Sequence, residues 1–342
     1  MTSPRWTVAE ARAKRAKDGA RRERLHHFIA RPLGNPMRLA LKAASGLFGP
    51  VAYHPAMHRA GSRMNANTNT AFQGAELSAQ DIICSAYFKA GTNWVMHICY
   101  QIAQLGEGRF EHVQDVIAWP DAAEPRYWRA LEDRDSAPSP TGFRVIKSHL
   151  PADLVPLESA AKFIAVTRDP LDCAASGYHF FAKLFFGAMT PPPDAWLEFF
   201  GSDAAIAGPW HRFTATWWAA RKRPNVLFLR FEDIKASPRT AISEIASHLG
   251  TDLTPEQLEC IAEATSFESM KAINHKFYPV RQTIWSTKGG KIIRQGVVGE
   301  GDKLFSPEAT ARFQDKMAQG LKAAGCNQPF YGLGRAEKKD RA

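Results

Sequence analysis

The chain has 342 residues, of which 45% are hydrophobic and 11% aromatic, and its formal net charge is +10. This length allows one large α/β domain or two small ones, and the apolar content is sufficient for a sizeable core. No run of 18 apolar residues is present, which excludes a membrane-spanning helix. The five cysteines are scattered, with no CxxC pair or Cys/His cluster, so we expect reduced thiols and no metal site.

The positive charge is concentrated at the N-terminus. Residues 1–45 contain eleven Lys and Arg against three acids, a net of 11 − 3 = +8, so the remainder is close to neutral. We predict a basic extension over residues 1–60, a main domain over residues 61–330 and a charged tail over residues 331–342. The extension is either a solvated helix or tail, or it contacts anionic partners such as a membrane surface. Because the N-terminus lacks the apolar core of a secretion signal, we predict a cytoplasmic or membrane-peripheral protein. We predict no specific nucleic-acid partner.

A first amphipathic helix is predicted to begin near residue 36. Asn35 is a suitable N-cap, and Pro36 suits the first helical position. The apolar face of this helix would consist of Met37, Leu41, Ala44 and Phe48. Such a helix packs on its own domain or lies on a membrane surface.

From residue 81 onward, strands and helices alternate. The predicted strands are Asp81–Ala86, 143–147, Lys162–Thr167 and Val226–Arg230. The predicted helices cover residues 92–105, a segment capped by Asp169 with Pro170 at its first position, residues 238–249, a segment opened by the capping box 254–257, and residues 307–324. Apolar strands that alternate with helices predict an α/β fold with three layers, α/β/α, around a central, mostly parallel sheet. Residues 191–194 and 276–304 are predicted to be long loops, which often carry function.

The stretch YFKAGTNW, residues 87–94, lies between the first strand and the following helix. Gly91 permits a ligand to approach the backbone closely, and the first N–H groups of a helix attract anions. Lys89 adds a positive charge and Thr92 adds a donor. The stretch therefore predicts a P-loop-like, phosphate-binding turn, although it differs from the spelling GxxxxGK[ST].

Other polar residues follow the ends of the predicted strands, where ligands bind in open α/β sheets. Arg168 follows the third strand and Ser176 lies on the next helix, a pair suited to a second phosphate. Lys147 and His149 lie two residues apart after the second strand and project to the same side. The His can accept a hydroxyl proton, and the Lys can stabilise charge on a transferred group. A later glycine-rich, basic loop contains residues 294–296 and could cover a phosphate.

Together these segments resemble the cytosolic-type sulfotransferases, which use 3′-phosphoadenosine 5′-phosphosulfate (PAPS) as sulfonate donor. The resemblance runs from about residue 81 to 318, in the order of the family's motifs. YFKAGTNW resembles the 5′-phosphosulfate loop, commonly YPKSGTTW, RVIKSHLP is similar to the catalytic KTH segment, and VTRDPLDCAASGYHFF resembles the 3′-phosphate motif. GPWHRFTATWW, LFLRFEDIKASPRTAISEIASHLG, TSFESMK and RQGVVGEGDKLFS are similar to later blocks of the family.

The resemblance implies a role for each matching residue. The 5′-phosphosulfate end of PAPS would be bound by Lys89, Ala90, Gly91, Thr92, Asn93 and Trp94, with Trp94 stacking on adenine. The 3′-phosphate would be bound by Arg168, Ser176, Arg294 and Gly296, next to Gln295. Thr265 and Phe267 would line the adenine pocket, near Phe231. His149 would be the general base, with Lys147 and Lys89 stabilising the transferring sulfonate, and no metal is implied.

Six positions depart from the family pattern: Phe88, Ala90, Asn93, Phe231, Gln295 and Gly301. Phe231 stands in place of a tyrosine, which removes one hydrogen bond to the nucleotide. The trio Lys89, Lys147 and His149 is intact, so the implied reaction class is unaffected.

The acceptor is indicated only by composition. Eight aromatic residues could line an apolar acceptor pocket or belong to the core: Tyr178, Phe180, Phe181, Phe185, Phe186, Trp196, Phe199 and Phe200. They favour a small hydrophobic or lipid-like acceptor with a hydroxyl or amine. Two alternatives remain: a P-loop small-molecule kinase, which requires a Lys directly before Ser/Thr and a metal-binding Asp, and a non-catalytic nucleotide- or membrane-binding protein.

Overall fold

A computed structural model describes residues 5–277, 283–285, 293, 296, 298–328 and 330, with side chains left undescribed at positions 50, 182–185 and 188. The strands are β1 (Asp81–Ala86), β2 (Arg144–Ser148), β3 (Lys162–Thr167) and β4 (Val226–Arg230). The α-helices before β3 are α1 (Val8–Leu25), α2 (Arg31–Phe48), α3 (His54–Met64), α4 (Thr92–Ala103) and α5 (Val113–Val116). Those after β3 are α6 (Pro170–Gly177), α7 (Pro193–Phe200), α8 (Trp210–Ala220), α9 (Phe231–Ala236), α10 (Pro238–Leu249), α11 (Pro255–Ala264), α12 (Phe267–Ala272), α13 (Asn274–Phe277), α14 (Gly301–Leu304) and α15 (Pro307–Ala323). Tyr178–Phe186 and His26–Ala30 are π-helical, and short 3₁₀ turns cover Gly49–Tyr53, Pro125–Tyr127, Ala152–Leu154 and Gly187–Met189.

The four strands form one parallel sheet in the order β2-β1-β3-β4. Alternate residues of each strand face opposite layers. Ile83 and Phe163 pack with the tryptophans of α7 and α8, such as Trp196, on one face. Ile82 and Ile164 pack on the other face with α4, α10 and α11. Since both faces are covered by helices, the predicted three-layer α/β/α fold is confirmed.

The start of the first amphipathic helix, predicted at residues 35–36, is wrong. α1 continues through the π-helical turn into α2, and Pro36 lies inside α2. In the π turn, the N–H of Arg31 donates to the carbonyl of His26, five residues earlier. This extra residue shifts the hydrogen-bond register just before Pro32, at the start of α2.

The other predicted elements agree closely with the structure. β1, β3 and β4 have the predicted bounds, and β2 is shifted by one residue. Asp169 caps α6 by accepting from the N–H groups of Leu171 and Asp172, and Thr254 forms the predicted capping box. Two predicted loops are partly wrong, because α7 begins at Pro193 and α14 occupies Gly301–Leu304.

Candidate active site

The turn between β1 and α4 is tight and left-handed in two places. Lys89 has a φ of +70° and Gly91 a φ of +90°. A Cβ at position 91 would lie 2.7 Å from Cδ2 of Phe231, so only glycine fits. The first N–H groups of α4, at Thr92 and Asn93, have no acceptor within the helix. This turn therefore offers donors and a positive dipole end to an anion.

Lys147 and His149 extend from the end of β2 into the same cavity. The Lys147 ammonium lies over two indole rings, 3.4 Å from the centroid of Trp119 and 5.0 Å from that of Trp128. Burial lowers the pKa of Lys147 to about 7; Asp121 opposes this shift and Lys89 adds to it. The group is therefore close to its titration point at neutral pH.

The tautomer of His149 follows from its contacts. Its Nδ1 lies 2.6 Å from the carbonyl oxygen of Ala86. Because a carbonyl oxygen can only accept a hydrogen bond, Nδ1 carries the ring proton. Nε2 of the neutral ring is therefore unprotonated. Burial, together with the charges of Lys147 and Lys89, lowers the pKa of His149 to about 3. The ring is therefore neutral at pH 7, with Nε2 as the proton acceptor.

A buried carboxylate, Asp121, connects these groups. Its Oδ2 accepts from the backbone N–H of His149 at 2.9 Å and from Nε1 of Trp119 at 3.0 Å. Burial raises the pKa of Asp121, and the hydrogen bonds from Trp119 and His149 oppose that shift. Asp121 therefore fixes the backbone of His149 and the ring on which Lys147 lies.

On the other side of the turn, Arg168 extends from the end of β3. Its guanidinium stacks 4.4 Å from the ring centroid of Phe231 and lies 3.6 Å from Asp172. Asp172 also accepts hydrogen bonds from the N–H groups of Gly299, at 2.9 Å, and Gly301, at 3.3 Å. One carboxylate thus orients Arg168 and attaches the described end of the late glycine-rich loop to α6.

An indole closes the far end of the site. Nε1 of Trp94 donates to the carbonyl of Thr265 at 2.8 Å, and its ring meets Phe231 edge-on at 5.7 Å. Gly296 lies beside the partly exposed ring of Phe267. These contacts leave a flat aromatic slot next to the turn.

These side chains line one cavity of about 390 Å³. Thirteen of the residues that the sequence singled out belong to its wall: Lys89, Gly91, Thr92, Asn93, Trp94, Lys147, His149, Arg168, Ser176, Phe231, Thr265, Phe267 and Gly296. Ala90 does not line the cavity; it is fully buried, and its N–H donates to the carbonyl of Tyr87 at 2.8 Å. Arg294 and Gln295 lie outside the described residues.

The eight candidate aromatic residues are divided between cavity and core. Phe180 and Phe181 line the cavity. Trp196, Phe199 and Phe200 are fully buried core residues. Trp196, Phe199 and Phe200 are therefore core residues, as the second interpretation predicted. The side chain of Phe185 is not among those that the structure describes.

Sequence reasoning missed one part of the wall, residues 113–130, which we call the wall segment. Among its residues, the cavity is lined by Gln114, Trp119, Asp121, Ala122, Ala123, Glu124, Tyr127 and Trp128. The segment has little regular structure beyond α5 and one 3₁₀ turn. Its only sequence signal was two tryptophans in a polar stretch, which does not distinguish a cavity wall from core.

Comparisons with known proteins agree with this geometry. The family model described as "Sulfotransferase domain" matches residues 79–325. Sulfotransferase 1C2 of Oryctolagus cuniculus is 30% identical over 258 residues, covering 71% of this chain and 83% of that protein. The 3-beta-hydroxysteroid sulfotransferase of Cavia porcellus is 29% identical over 246 residues, covering 70% and 84%.

Two solved structures share the fold. Mouse sulfotransferase SULT7A1 complexed with PAP has a TM-score of 0.61 at 21% identity, covering 82% of this chain and 95% of that chain. Retinol dehydratase in a complex with retinol and PAP has a TM-score of 0.61 at 23% identity, covering 79% and 88%.

A parallel α/β/α sheet with an anion-binding turn beside a Lys–His pair defines a group-transfer enzyme. The chain belongs to the sulfotransferase family. The predicted class, a PAPS-dependent sulfotransferase, is thereby confirmed.

Proposed function

We propose that the protein transfers the sulfonate of PAPS to a hydroxyl or amine of a small apolar acceptor, with His149 as general base. One observation carries the proposal: the thirteen implicated residues, among them Lys89, Lys147 and His149, line a single cavity. They come from six separate stretches of sequence, so their convergence is a property of the fold.

The residues on the donor side fit an anionic nucleotide. The start of α4 provides N–H donors, and Lys89, Arg168 and Lys235 surround it with positive charge. Lys147 forms no ion pair with a carboxylate in the described part of the chain, so its charge is available to a ligand. Trp94, Phe231 and Phe267 offer flat surfaces for a base.

The reaction follows from the protonation states of two side chains. When bound, PAPS would supply the sulfonate, and the S–O bond to its 5′-phosphate would break so that 3′-phosphoadenosine 5′-phosphate leaves. Nε2 of His149 takes the proton of the acceptor as its oxygen or nitrogen attacks, because Nδ1 is committed to Ala86. Lys147 and Lys89 stabilise negative charge on the sulfonate oxygens. The negative charge of the bound nucleotide raises the pKa of both Lys147 and His149, which makes the lysine more fully charged and the histidine a stronger base.

The remaining wall favours an apolar acceptor. Its side chains are mainly Met64, Phe88, Trp119, Trp128, Leu150, Phe180, Phe181 and Ile206. Such a surface binds a compact hydrophobic molecule and leaves the polar groups at His149 to orient its reacting atom. Relatives named for 3-beta-hydroxysteroids, and the structure complexed with retinol, support this class of acceptor.

We also propose that α2 brings the enzyme to anionic lipid surfaces. Eight of the nine exposed large hydrophobic residues in the described chain lie between positions 28 and 51: Phe28, Ile29, Leu33, Met37, Leu39, Leu47, Phe48 and Val51. No helix in the described ranges is long and apolar enough to cross a membrane. The exposed face is that of an interfacial helix.

The charge around this face favours lipid over a second copy of the chain. Residues 24–75 contain six Lys and Arg and no Asp or Glu. Two such faces would repel each other, whereas an anionic bilayer attracts both the charge and the apolar side chains.

The donor site is tested by thermal unfolding of the full chain with 3′-phosphoadenosine 5′-phosphate, with 5′-AMP and with ATP plus Mg²⁺. A ligand at ~100 times its dissociation constant adds about 2.7 kcal/mol to the free energy of unfolding. We expect the bisphosphate to raise the melting temperature and 5′-AMP to have little effect. Stabilisation by ATP plus Mg²⁺ alone would point to a kinase, and no stabilisation by any nucleotide would overturn the proposal.

A further inference from the structure

The wall segment carries the indole rings that contact Lys147. Trp119 and Trp128 meet edge-on, with centroids 5.0 Å apart, and Trp119 also contacts the ring of His149 at 5.2 Å. A displacement of these two rings would therefore change the surroundings of both proposed catalytic groups.

The wall segment contains little regular secondary structure. An isolated bridge of Ala118 with Ile146 joins it to the sheet, and a second bridge joins Ala118 to Arg129 within the segment. Its α-helix, α5, is one turn long. Segments with so little regular structure depend on side chains from other elements for a fixed position.

Part of that support comes from α1. Arg15 on α1 is only 8% exposed. Its guanidinium donates to Oδ1 of Asp115 at 2.5 Å and to the carbonyl of Tyr127 at 2.6 Å. Nε1 of Trp6 donates to the carbonyl of Trp128 at 2.8 Å. These contacts join α1, and Trp6 just before it, to both ends of the wall segment.

A second group of contacts fixes the phenol of Tyr127. Its hydroxyl donates to Oδ2 of Asp18 at 2.9 Å and accepts from Arg22 at 2.7 Å. At the far end of the same helix, Nδ1 of His26 lies 2.6 Å from the carbonyl oxygen of Ile284. α1 thus bridges the wall segment and residues 283–285, and it lies outside the matched sulfotransferase domain.

We propose that α1 is a component of the active site of this enzyme, in which Arg15 and Asp115 are positioning residues that keep Trp119 and Trp128 against Lys147. The proposal rests on the proposed function for the role of Lys147, but its geometry does not depend on the nucleotide. The basic N-terminal extension therefore takes part in the chemistry of the main domain.

The consequence to measure is the titration of Lys147. The charged and titratable groups around it are Asp121, Lys89, Cys84 and His149. Burial is the main cause of its lowered pKa, so loosening the wall segment admits water and moves the pKa back toward the ordinary lysine value near ~10.4. Mere destabilisation of the whole fold would not produce this change in the folded protein.

The test compares Arg15→Met with Arg21→Met, the same substitution at an exposed position of the same helix. The pH dependence of Lys147 acetylation by acetic anhydride is read by peptide mass spectrometry on the folded full-length proteins, and sulfonate transfer to 2-naphthol is measured alongside. For wild type and Arg21→Met we expect a midpoint near 7. For Arg15→Met we expect a midpoint higher by about one pH unit or more.

A second variant and a reference measurement allow the experiment to support or overturn the proposal. If Arg15→Met does not fold, the double variant Arg15→Met with Asp115→Asn is tested in its place, because it neutralises the carboxylate that would then face only Arg12. A midpoint equal to that of Arg21→Met would overturn the proposal. Because acetylation needs no nucleotide, a shifted midpoint without any transfer by wild type would count against the proposed function alone.

Discussion

Asp121 accepts a hydrogen bond from the backbone N–H of His149 at 2.9 Å, and the same oxygen accepts from the indole of Trp119. Lys147 lies over that indole. The buried carboxylate of Asp121 therefore orients His149, the proposed base, and the indole of Trp119 against which Lys147 lies. It belongs to none of the sequence motifs.

Asp121→Asn should reduce transfer while leaving the fold intact. The carboxylate raises the pKa of Lys147, so its neutralisation lowers that pKa further below about 7 and leaves fewer charged lysines at neutral pH. We expect kcat/KM at pH 7 to fall about three- to tenfold, with its alkaline limb moved to lower pH. Asp252→Asn, at an exposed position, is the control. An unmoved alkaline limb would show that Asp121 does not tune Lys147.

The pH profile of the wild-type enzyme should be one-sided. The active free enzyme needs Lys147 charged, which holds below its pKa of about 7, and His149 neutral, which holds above its pKa of about 3. kcat/KM should therefore be level between about pH 4 and 6 and fall about tenfold per unit well above pH 7. Since the bound nucleotide raises the pKa of Lys147, the limb of kcat should lie at higher pH. A profile that rises from pH 6 to 9 would contradict this assignment.

His149→Ala should abolish most turnover without loss of nucleotide binding. Removal of a general base costs about 10²- to 10⁴-fold in rate. Sulfonate transfer and the melting shift caused by 3′-phosphoadenosine 5′-phosphate are measured on the same preparation. His275→Ala, an exposed histidine on α13, is the matched control. Transfer at the wild-type rate by His149→Ala would exclude this residue as the base.

Gly91→Ala should destabilise the protein and weaken nucleotide binding together. A methyl group there would lie 2.7 Å from the ring of Phe231, in a backbone conformation with φ of +90°. We expect a loss of about 2 to 4 kcal/mol in the free energy of unfolding. Gly46→Ala provides the contrast, because no heavy atom lies within 4 Å of the added methyl in α2 and the helix gains about 0.5–1 kcal/mol. Equal melting temperatures for the two variants would refute the steric argument.

Binding to vesicles should depend on both apolar and basic residues of α2. We expect the protein to co-sediment with phosphatidylcholine vesicles that contain phosphatidylglycerol, and only weakly with phosphatidylcholine alone. Replacing the exposed Leu47 and Phe48 by Ser, or Arg38 and Lys42 by Glu, should release it. Lys322→Glu on α15 should not. Equal binding to neutral and anionic vesicles would remove the electrostatic part of the proposal, and no binding to either would remove all of it.

The sequence predicted the sheet well because its signals are local. Buried parallel strands such as Asp81–Ala86 and Lys162–Thr167 are short apolar runs bounded by polar residues, and the caps at Asp169 and Thr254 act within one turn. The predicted helix start at Pro36 was wrong because it also rested on a local signal. A local rule places proline at a helix start, whereas here Pro36 lies inside α2, after a π turn.

The sequence by itself determined the fold class and predicted the anion-binding turn and the proposed reacting pair, Lys147 and His149, because motif residues at strand ends must meet at one edge of a parallel sheet. Only the tertiary structure decided what surrounds them. Asp121, Trp119 and Arg15 matter through contacts between residues about thirty to more than one hundred positions apart in the chain. No local pattern encodes such contacts, since they depend on how separate elements pack.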